Sequence, residues 1–194
     1  MAVTVWKAAA PFEFVAGNLA LDFVNTVGNR LGQPRDYFTS PGEGLRWARQ
    51  AGLETPAAGA GDGDAALAAL RRLREELYRL RAPLAGGAHA FTAAQLAGLN
   101  RRLGRLPPRR LAAGGGRVGW RWAGGTPWQR LQAALVLSAA DLLASPDAAA
   151  IRQCQDDTCG WPFLDHSQAG RRRWCSMADC GNRAKARRHQ QRLH

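Results

Sequence analysis

Hydrophobic residues recur every three to four positions along most of the first 148 residues, a spacing that predicts helices. The stretch LALDFVNTVGNR, residues 19–30, is the first example. Its apolar face carries Leu19, Phe23, Val24 and Val27. Asn18 before it is a typical N-cap, and the sequence Gly32-Gln33-Pro34 is expected to end this helix.

Two further helices follow from their start and stop signals. Ser40-Pro41 reads as an N-cap and a first helical residue, and Gly52 closes the helix GEGLRWARQAG. TPAAGAGDGD, residues 55–64, predicts a flexible loop, after which Asp64 is expected to cap a long helix that breaks at Gly86-Gly87. The predicted buried side of that helix comprises Leu67, Leu70, Leu73, Leu77 and Leu80.

The next segments predict one short helix and one β-hairpin. Thr92 caps a helix that runs through Leu103, and Pro107-Pro108 stops it. RVGWRW, residues 117–122, alternates as a strand does, and LPPRRLAA, residues 106–113, is its candidate partner across a run of three glycines. Tryptophans such as Trp120 and Trp122 in a strand are more often core residues than a platform for a ligand.

A last helix, WQRLQAALVLSAADLLAS, opens at Thr126-Pro127 and stops at Ser145-Pro146. The sequence therefore predicts a mainly helical domain at residues 1–148 and a small appended module at residues 149–194. The predicted fold class is mainly α with a small β-hairpin, joined to a treble-clef-like knuckle and helix.

Charge changes this picture because it is concentrated at one end of the chain. The formal net charge is +12, and residues 171–194 hold seven arginines and one lysine against a single acid, Asp179. A local basic segment favours an anionic partner such as nucleic acid.

The sequence shows no secretory signal and no apolar stretch long enough to span a bilayer. We therefore expect a cytoplasmic protein with no membrane partner. Clustered cysteines in a reducing compartment indicate metal or redox chemistry rather than disulfide bonds.

The four cysteines lie within 27 residues, in the pattern C-x4-C-x15-C-x4-C. The candidate ligands are Cys154, Cys159, Cys175 and Cys180. Two cysteine pairs can supply the four soft ligands that Zn²⁺ takes in a tetrahedron, and such a site has no open position for catalysis. The alternatives are buried free thiols, a disulfide or redox dithiol, and an iron–sulfur cluster, although the spacing differs from that of ferredoxins.

About 40 residues cannot bury a self-sufficient core. Zinc binding at neutral pH can contribute about 10–16 kcal/mol to the folding of such a module. Trp161, Phe163, Leu164 and Trp174 are expected to form a small apolar cluster beside the metal. His166, His189 and His194 are rival ligands, for which a surface, second-shell or phosphate-facing position is the simpler interpretation.

The segment after Cys180, GNRAKARRHQQRLH, contains no acids and predicts a basic helix anchored by Cys180 in its first turn. Such a helix would carry guanidinium groups to phosphates, and an ordinary solvated tail is the alternative. The candidate nucleic-acid contacts are Arg171, Arg172, Arg173, Asn182, Arg183, Lys185, Arg187, Arg188, Gln191 and Arg192.

Polar residues of the first predicted helix form a second candidate site. They are Asp22, Asn25, Thr26, Asn29 and Arg30. These side chains either line a pocket for a small-molecule effector or tie the helix to later segments, because buried polar groups need partners. The sequence shows no nucleophile–base pair, phosphate loop or carboxylate dyad, so we do not expect an enzyme.

The sequence CQDDTCGWPFLDHSQAGRRRWCSMADCGNRAKARRH resembles the CGNR zinc finger, whose tetrapeptide stands here at residues 180–183. GNLALDFVNTVGNR, together with the helix that ends in SAADLLAS, resembles the ABATE domain that usually precedes that finger. The resemblance implies a bacterial regulator of transcription induced by stress. It also implies zinc at the four cysteines, DNA at the finger, and ligand sensing in the larger domain.

Two functions from different classes remain open at this point. The first is a zinc-dependent DNA-binding regulator in which the helical domain senses an effector or forms a homodimer. The second is a zinc-scaffolded module that binds an acidic protein or RNA. The segment after Cys180 has no aromatic residues for base stacking, which disfavours single-stranded RNA.

Overall fold

The computed structural model describes residues 12–55, 62–80 and 91–192. Its α-helices are α1 (Leu19–Val24), α2 (Pro41–Gln50), α3 (Gly63–Leu80), α4 (Ala93–Leu103), α5 (Pro127–Ala144) and α6 (Asn182–Gln191). Its antiparallel strand pairs are β1 (Val27–Gly28) with β2 (Arg35–Asp36), β3 (Arg109–Gly114) with β4 (Arg117–Trp122), and β5 (Ile151–Gln153) with β6 (Pro162–Leu164). The predicted class, mainly α with a small β-hairpin, is confirmed, and the structure adds the two shorter strand pairs β1–β2 and β5–β6.

Helix starts follow the capping residues that the sequence provides. The Asn18 side chain accepts hydrogen bonds from the first turn of α1, and the Ser40 hydroxyl accepts one at the start of α2. Thr92 and Thr126 form capping boxes with glutamines three residues later, at α4 and α5.

The cap predicted for α3 is wrong by two residues. The Asp62 carboxylate accepts a hydrogen bond of 2.9 Å from the Ala65 backbone N–H, and Asp64 already lies inside the helix. Asp62 is the cap because the helix already begins at Gly63, one residue before the predicted cap. The predicted loop at residues 55–64 falls mostly, and the Gly86-Gly87 break wholly, outside the described residues.

The first helix ends earlier than its apolar pattern predicts. α1 stops at Val24, and Val27–Gly28 forms a strand paired with Arg35–Asp36. The cause lies far away in sequence. The Asn25 side-chain amide donates 3.0 Å to the Pro162 carbonyl, and the Trp161 indole N–H donates 2.7 Å to the Val27 carbonyl. If α1 continued as a helix, the Asn25 amide and the Val27 carbonyl would point away from Trp161 and Pro162, and these two hydrogen bonds could not form.

Two hydrophobic clusters hold the described chain together. The first packs α1, α2, α3 and α5 around Phe23, Phe38 and Trp47, with the predicted leucine side of α3 buried. The second contains all four cysteines and draws Ala16 and Leu142 from the helical part. None of the described helices combines the length and the apolar character that crossing a bilayer requires.

The predicted hairpin forms at β3 and β4, but its tryptophans do not behave as core residues. Trp120 is 58% exposed and Trp122 is half-buried. The expectation that both tryptophans belong to the core is therefore wrong for Trp120, because none of the strand residues of this hairpin is fully buried.

Candidate metal centre and basic helix

The four cysteine sulfurs meet at one buried point between two loops. All four Sγ atoms lie within 4.8 Å of one another. The Sγ atoms of Cys159 and Cys175 are 3.7 Å apart, and those of Cys175 and Cys180 are 3.5 Å apart. Four sulfurs bound tetrahedrally at about 2.3 Å from a zinc ion would lie about 3.8 Å from one another. The observed cluster therefore has the size of a four-thiolate metal site.

The first cysteine pair lies in the loop between β5 and β6. Cys154 follows β5, and its N–H donates 2.8 Å to the Trp161 carbonyl. Gly160 turns the chain back with a φ of +71°, a conformation that favours glycine. The hairpin thus fixes both thiols of the pair on one side of a tight turn.

Asp156 organises the inside of that loop. Its Oδ1 accepts hydrogen bonds from the Thr158 N–H at 3.1 Å and the Thr158 hydroxyl at 3.0 Å. Its carbonyl accepts the Cys159 N–H at 3.2 Å. An aspartate two residues before a threonine can close such a turn by itself, so this loop shape is encoded locally.

The second cysteine pair lies at the entrance to α6. Cys175 precedes a π-helical turn, Met177–Gly181, that contains Cys180 and continues directly into α6. Cys180 was predicted in the first turn of the basic helix, and the structure places it in this preceding turn. Gly181 packs closely, because a Cβ there would lie 2.7 Å from the Met177 sulfur and 3.2 Å from the Trp174 ring, so the exposed Met177 side chain would have to move.

Backbone and guanidinium contacts tie the two loops together. The Gln155 N–H donates 2.9 Å to the Arg173 carbonyl. The Arg172 guanidinium donates to the carbonyls of Trp174 at 2.9 Å, of Val15 at 3.3 Å and of Cys175. Arg172 therefore links the second loop to the N-terminal segment rather than standing free in solvent.

The close packing of the sulfurs shifts the pKa values of Cys154, Cys175 and Cys180. Hydrogen bonds from Cys159, Cys175 and Cys180 hold the pKa of Cys154 well below its usual range. Hydrogen bonds to Cys154 and Cys159, with burial, raise the pKa of Cys175. Four adjacent thiolates cannot coexist in a buried site without a cation, so metal binding would release the remaining protons. The donor set therefore fits a soft divalent ion.

The tetrapeptide of residues 180–183 now has a physical account. Cys180 is the thiol, Gly181 allows close packing, and the Asn182 amide donates 2.9 Å to the Ala178 carbonyl. The Arg183 Nη2 donates 3.0 Å to the Cys180 Sγ. A guanidinium at this distance stabilises a thiolate and orients the ligand.

The inner face of α6 is fastened to the first loop by a buried carboxylate. The Asp156 Oδ2 lies 3.4 Å from the Arg183 Nε and 2.9 Å from the Arg187 Nη2. The Asp156 side chain is fully buried, whereas the two arginine side chains are half-exposed. The face that Arg183 and Arg187 share by their spacing therefore points toward the metal centre.

The predicted nucleic-acid residues divide into two groups. Four of them contact a segment that is distant in sequence, and the exposed Arg173 among these donates 2.6 Å to the Gln155 side chain. These four are Arg172, Arg173, Arg183 and Arg187. The other six are exposed, and among them Asn182 and Arg188 donate to carbonyls one helical turn earlier; these six are Arg171, Asn182, Lys185, Arg188, Gln191 and Arg192.

The predicted apolar cluster beside the cysteines is confirmed. It comprises Trp161, Phe163, Leu164 and Trp174. His166 is exposed and lies 3.2 Å from the Asp147 carboxylate, and His189 is exposed on α6. His194 lies outside the described residues. Among the described histidines, none belongs to the cysteine cluster.

The polar residues of the N-terminal segment are used within the chain. The Asp22 carboxylate accepts 2.9 Å from the Ala16 N–H. The Thr26 hydroxyl accepts 3.1 Å from Arg74, and Arg30 pairs with Glu75 at 2.9 Å. With the bond from Asn25 to Pro162, these contacts match the alternative in which the segment is tied to later parts of the chain. Asn29 is exposed and turns the backbone with a φ of +51°.

Sequence reasoning missed the structural roles of three residues that build the site, Asp156, Asp165 and Arg172, the last of which was predicted as a nucleic-acid contact. Asp156 and Asp165 close their loops, and Asp165 accepts from the Ser167 N–H at 3.0 Å and from the Arg172 N–H at 2.8 Å. The repeated pattern of aspartate, any residue, then threonine or serine was the available signal. No local signal marks Arg172, because its guanidinium joins the nearby carbonyls of Trp174 and Cys175 to that of Val15, which is distant in sequence.

Two family models match the chain. Residues 17–146, well over half of it, match the ABATE family, described as "Putative stress-induced transcription regulator". Residues 150–193 match the CGNR zinc finger. None of the curated proteins matches the chain. The two resemblances inferred from the sequence are thus confirmed.

Proposed function

The chain belongs to the ABATE family and carries a CGNR zinc finger, and from this premise we propose that it is a zinc-dependent DNA-binding regulator of transcription. The observation that carries the proposal is a cationic helix fastened at its base to the four-cysteine cluster. The helix is α6, and the cluster fixes where it points.

Zinc is the proposed metal because of the donor set. Four buried thiols at tetrahedral spacing suit Zn²⁺, which imposes no geometry of its own. Four sulfurs would complete its coordination, so the metal would support structure and not catalysis. We accordingly propose a regulator and not an enzyme.

The proposed DNA surface is the outer face of α6. Lys185, Arg188 and Arg192 are exposed there, and α6 contains no acidic residue. Cations on a fixed helix can neutralise phosphates and release counterions, which provides affinity independent of sequence. Gln191 and Arg188 are residue types that can also read base edges in the major groove.

The remaining parts of the proposal concern the helical part. Residues 1–148 would sense a small molecule or mediate a homodimer, and the regulator would respond to stress in a bacterial cytoplasm. The family description supports the regulatory role, and the helical core supplies a stable body for it.

The test combines metal analysis with DNA binding across a salt series. We expect one zinc per chain and binding of duplex DNA with a steep dependence on salt. Lys185→Gln with Arg188→Gln should reduce the log–log slope by about 1.8, since each lost phosphate contact removes about 0.9. Arg49→Gln with Arg72→Gln, which removes two exposed charges far along the chain, is the control with the same net charge.

Two results would contradict the proposal. The first is that residues 150–192 remain ordered in protein without bound metal, which would remove the structural basis of the proposal. The second is a DNA affinity that does not change with salt concentration, which would exclude the phosphate contacts. Binding of an acidic protein by the same face of α6 would favour the protein-interaction module instead.

A further inference from the structure

The β3–β4 hairpin is a second cationic element far from the cysteines in sequence. Its strands carry Arg109, Arg110, Arg117 and Arg121 and no acidic residue. No described carboxylate lies within ion-pairing distance of any of these four guanidiniums. The α3 and α5 helices differ in this respect, because each contains at least one arginine paired with a glutamate.

The register separates the hairpin into two unlike faces. Arg110 lies opposite Arg121, Ala112 opposite Gly119, and Gly114 opposite Arg117. This face therefore presents three arginines around a centre of very small residues. The other face carries Leu111, Val118 and Trp120, which are 61%, 69% and 58% exposed.

The pairing of Arg110 with Arg121 is unfavourable for an isolated hairpin. Like charges directly opposite one another on neighbouring strands destabilise the pair. The Arg121 Nη1 donates 3.1 Å to the Trp120 carbonyl, which does not offset the charge. A polyanion lying along this face would convert the repulsion into attraction, because it supplies a negative charge for each guanidinium.

The shape of the hairpin selects among polyanions. Two strands of six residues make a ribbon about 20 Å long, with strands about 4.8 Å apart. The major groove of B-form DNA, about 12 Å wide, admits a two-stranded ribbon. The major groove of duplex RNA is too narrow for side chains to read, so duplex DNA is the better fit.

A second copy of this chain fits the hairpin less well. Packing two apolar faces together would bring the Arg109 guanidiniums of both copies into one interface with no described acid beside them. The three apolar residues of each copy would also bury only a small area, below the size of stable interfaces.

We infer that the arginine face of the β3–β4 hairpin, Arg110, Arg117 and Arg121, is a second contact surface for duplex DNA, separate from α6. The inference rests on the proposed function, because both surfaces take the same ligand. Small residues at Ala112 and Gly119 let the ribbon approach the DNA closely, and Arg109 stacks over Trp120 at 5.1 Å on the opposite face.

The experiment measures salt-dependent binding of the full-length, metal-loaded protein to a duplex DNA fragment. Arg110→Gln with Arg121→Gln should reduce the log–log slope by about 1.8. Arg49→Gln with Arg72→Gln should leave the slope unchanged, because the same charge is removed elsewhere. All four arginines are exposed or without a described ion pair, so both variants are expected to fold, as circular dichroism will verify.

The outcomes separate this inference from the proposed function. A slope that falls in the hairpin variant and not in the control supports the inference. A slope that falls only in Lys185→Gln with Arg188→Gln overturns the hairpin surface and leaves α6 standing. An unchanged slope together with a dimer that Leu111→Ser and Val118→Ser abolish would assign the hairpin to a second copy. Absence of any DNA binding by the wild type would overturn both.

Discussion

Asp156 connects three parts of the metal centre through a single buried carboxylate. One oxygen closes the first cysteine loop through Thr158, and the other oxygen receives Arg183 and Arg187 from α6. A charge buried in this way is stable only while its partners remain in place. The direction of α6 therefore depends on one residue that is neither a candidate metal ligand nor exposed to DNA.

Removal of the Asp156 charge should weaken the module, and its neighbour is a matched control. We expect Asp156→Asn to lower the free energy of unfolding of the metal-loaded protein by about 2 kcal/mol, because hydrogen bonds to charged groups are lost. Asp157→Asn, whose side chain is 78% exposed, should change it by less than about 0.5 kcal/mol. Urea unfolding checks both values, and equal effects would contradict the assigned role.

Asp22 makes the protein less stable as the pH rises, whereas an acid in a salt bridge makes a protein more stable as the pH rises. Burial raises the pKa of Asp22 to about 6, although the Ala16 N–H donates to its carboxylate. The unfolded chain has a lower pKa of about 3.9, so the folded state binds the extra proton. This contribution to stability is full below pH of about 4 and is lost as the pH rises through about 6.

Neutralising Asp22 should therefore stabilise the protein most at high pH. We expect the change in the free energy of unfolding on Asp22→Asn to be more favourable at pH 8 than at pH 5 by about 1 kcal/mol, because the buried carboxylate is charged at the higher pH. Urea titrations at both values measure the difference. Asp141→Asn on the exposed side of α5 controls for removing a carboxylate. A gain that does not change with pH would show that Asp22 does not titrate in this range.

At the scale of elements, most helices begin where a side chain can cap them and end where tertiary contacts permit. Thr92 and Thr126 set the starts of α4 and α5 locally. The early end of α1 and the inward face of α6 were decided by contacts with the β5–β6 loop. Apolar periodicity predicted α1, and a composition without acids predicted α6. Neither pattern predicted where α1 ends or which face α6 buries.

Metal removal should loosen some elements and spare others. We expect chelation to speed amide exchange in residues 150–192 and in the segment at residues 15–31, which is hydrogen-bonded to them. Exchange in α3 should stay slow, because its leucines belong to the first hydrophobic cluster. Hydrogen-exchange mass spectrometry with and without chelator measures this, and uniform acceleration along the chain would contradict it.

At the scale of the whole molecule, the cysteine module does not complete its core alone. The cluster around the four cysteines includes Ala16, Leu21 and Leu142 from the helical part. The Leu164 N–H also donates 2.8 Å to the Ala16 carbonyl. The boundary at residue 148 stays a prediction, and the hydrophobic cluster extends across it.

This shared cluster predicts that the helical part influences metal affinity. Leu21→Ala should weaken zinc binding about tenfold, because a cavity in the hydrophobic cluster that contains the cysteines would cost the metal-bound state about 1.4 kcal/mol. Leu45→Ala, in the first cluster, should destabilise the helical core without changing zinc affinity. Competition with a chromophoric chelator measures both, and equal affinities in the two variants would contradict the coupling.

The sequence alone determined the features that depend on local chemistry. Capping residues and apolar spacing predicted the helices, alternation and glycines predicted the hairpin, and cysteine spacing predicted the four-thiol cluster. These succeed because a cap, a turn or a pair of thiols uses neighbours a few residues away. The aspartates of the two loops were also within reach, through their spacing from Thr158 and Ser167.

Only the tertiary structure decided which charged and aromatic side chains make contacts inside the chain and which face solvent. Arg183, Arg187 and Arg172 look like the other arginines in sequence, yet each meets a carboxylate or carbonyl that lies far away along the chain. Trp120 looks like a core residue, yet nothing in the described chain buries it. Such assignments follow from the burial of a charge or a ring among distant segments, and no local pattern carries that information.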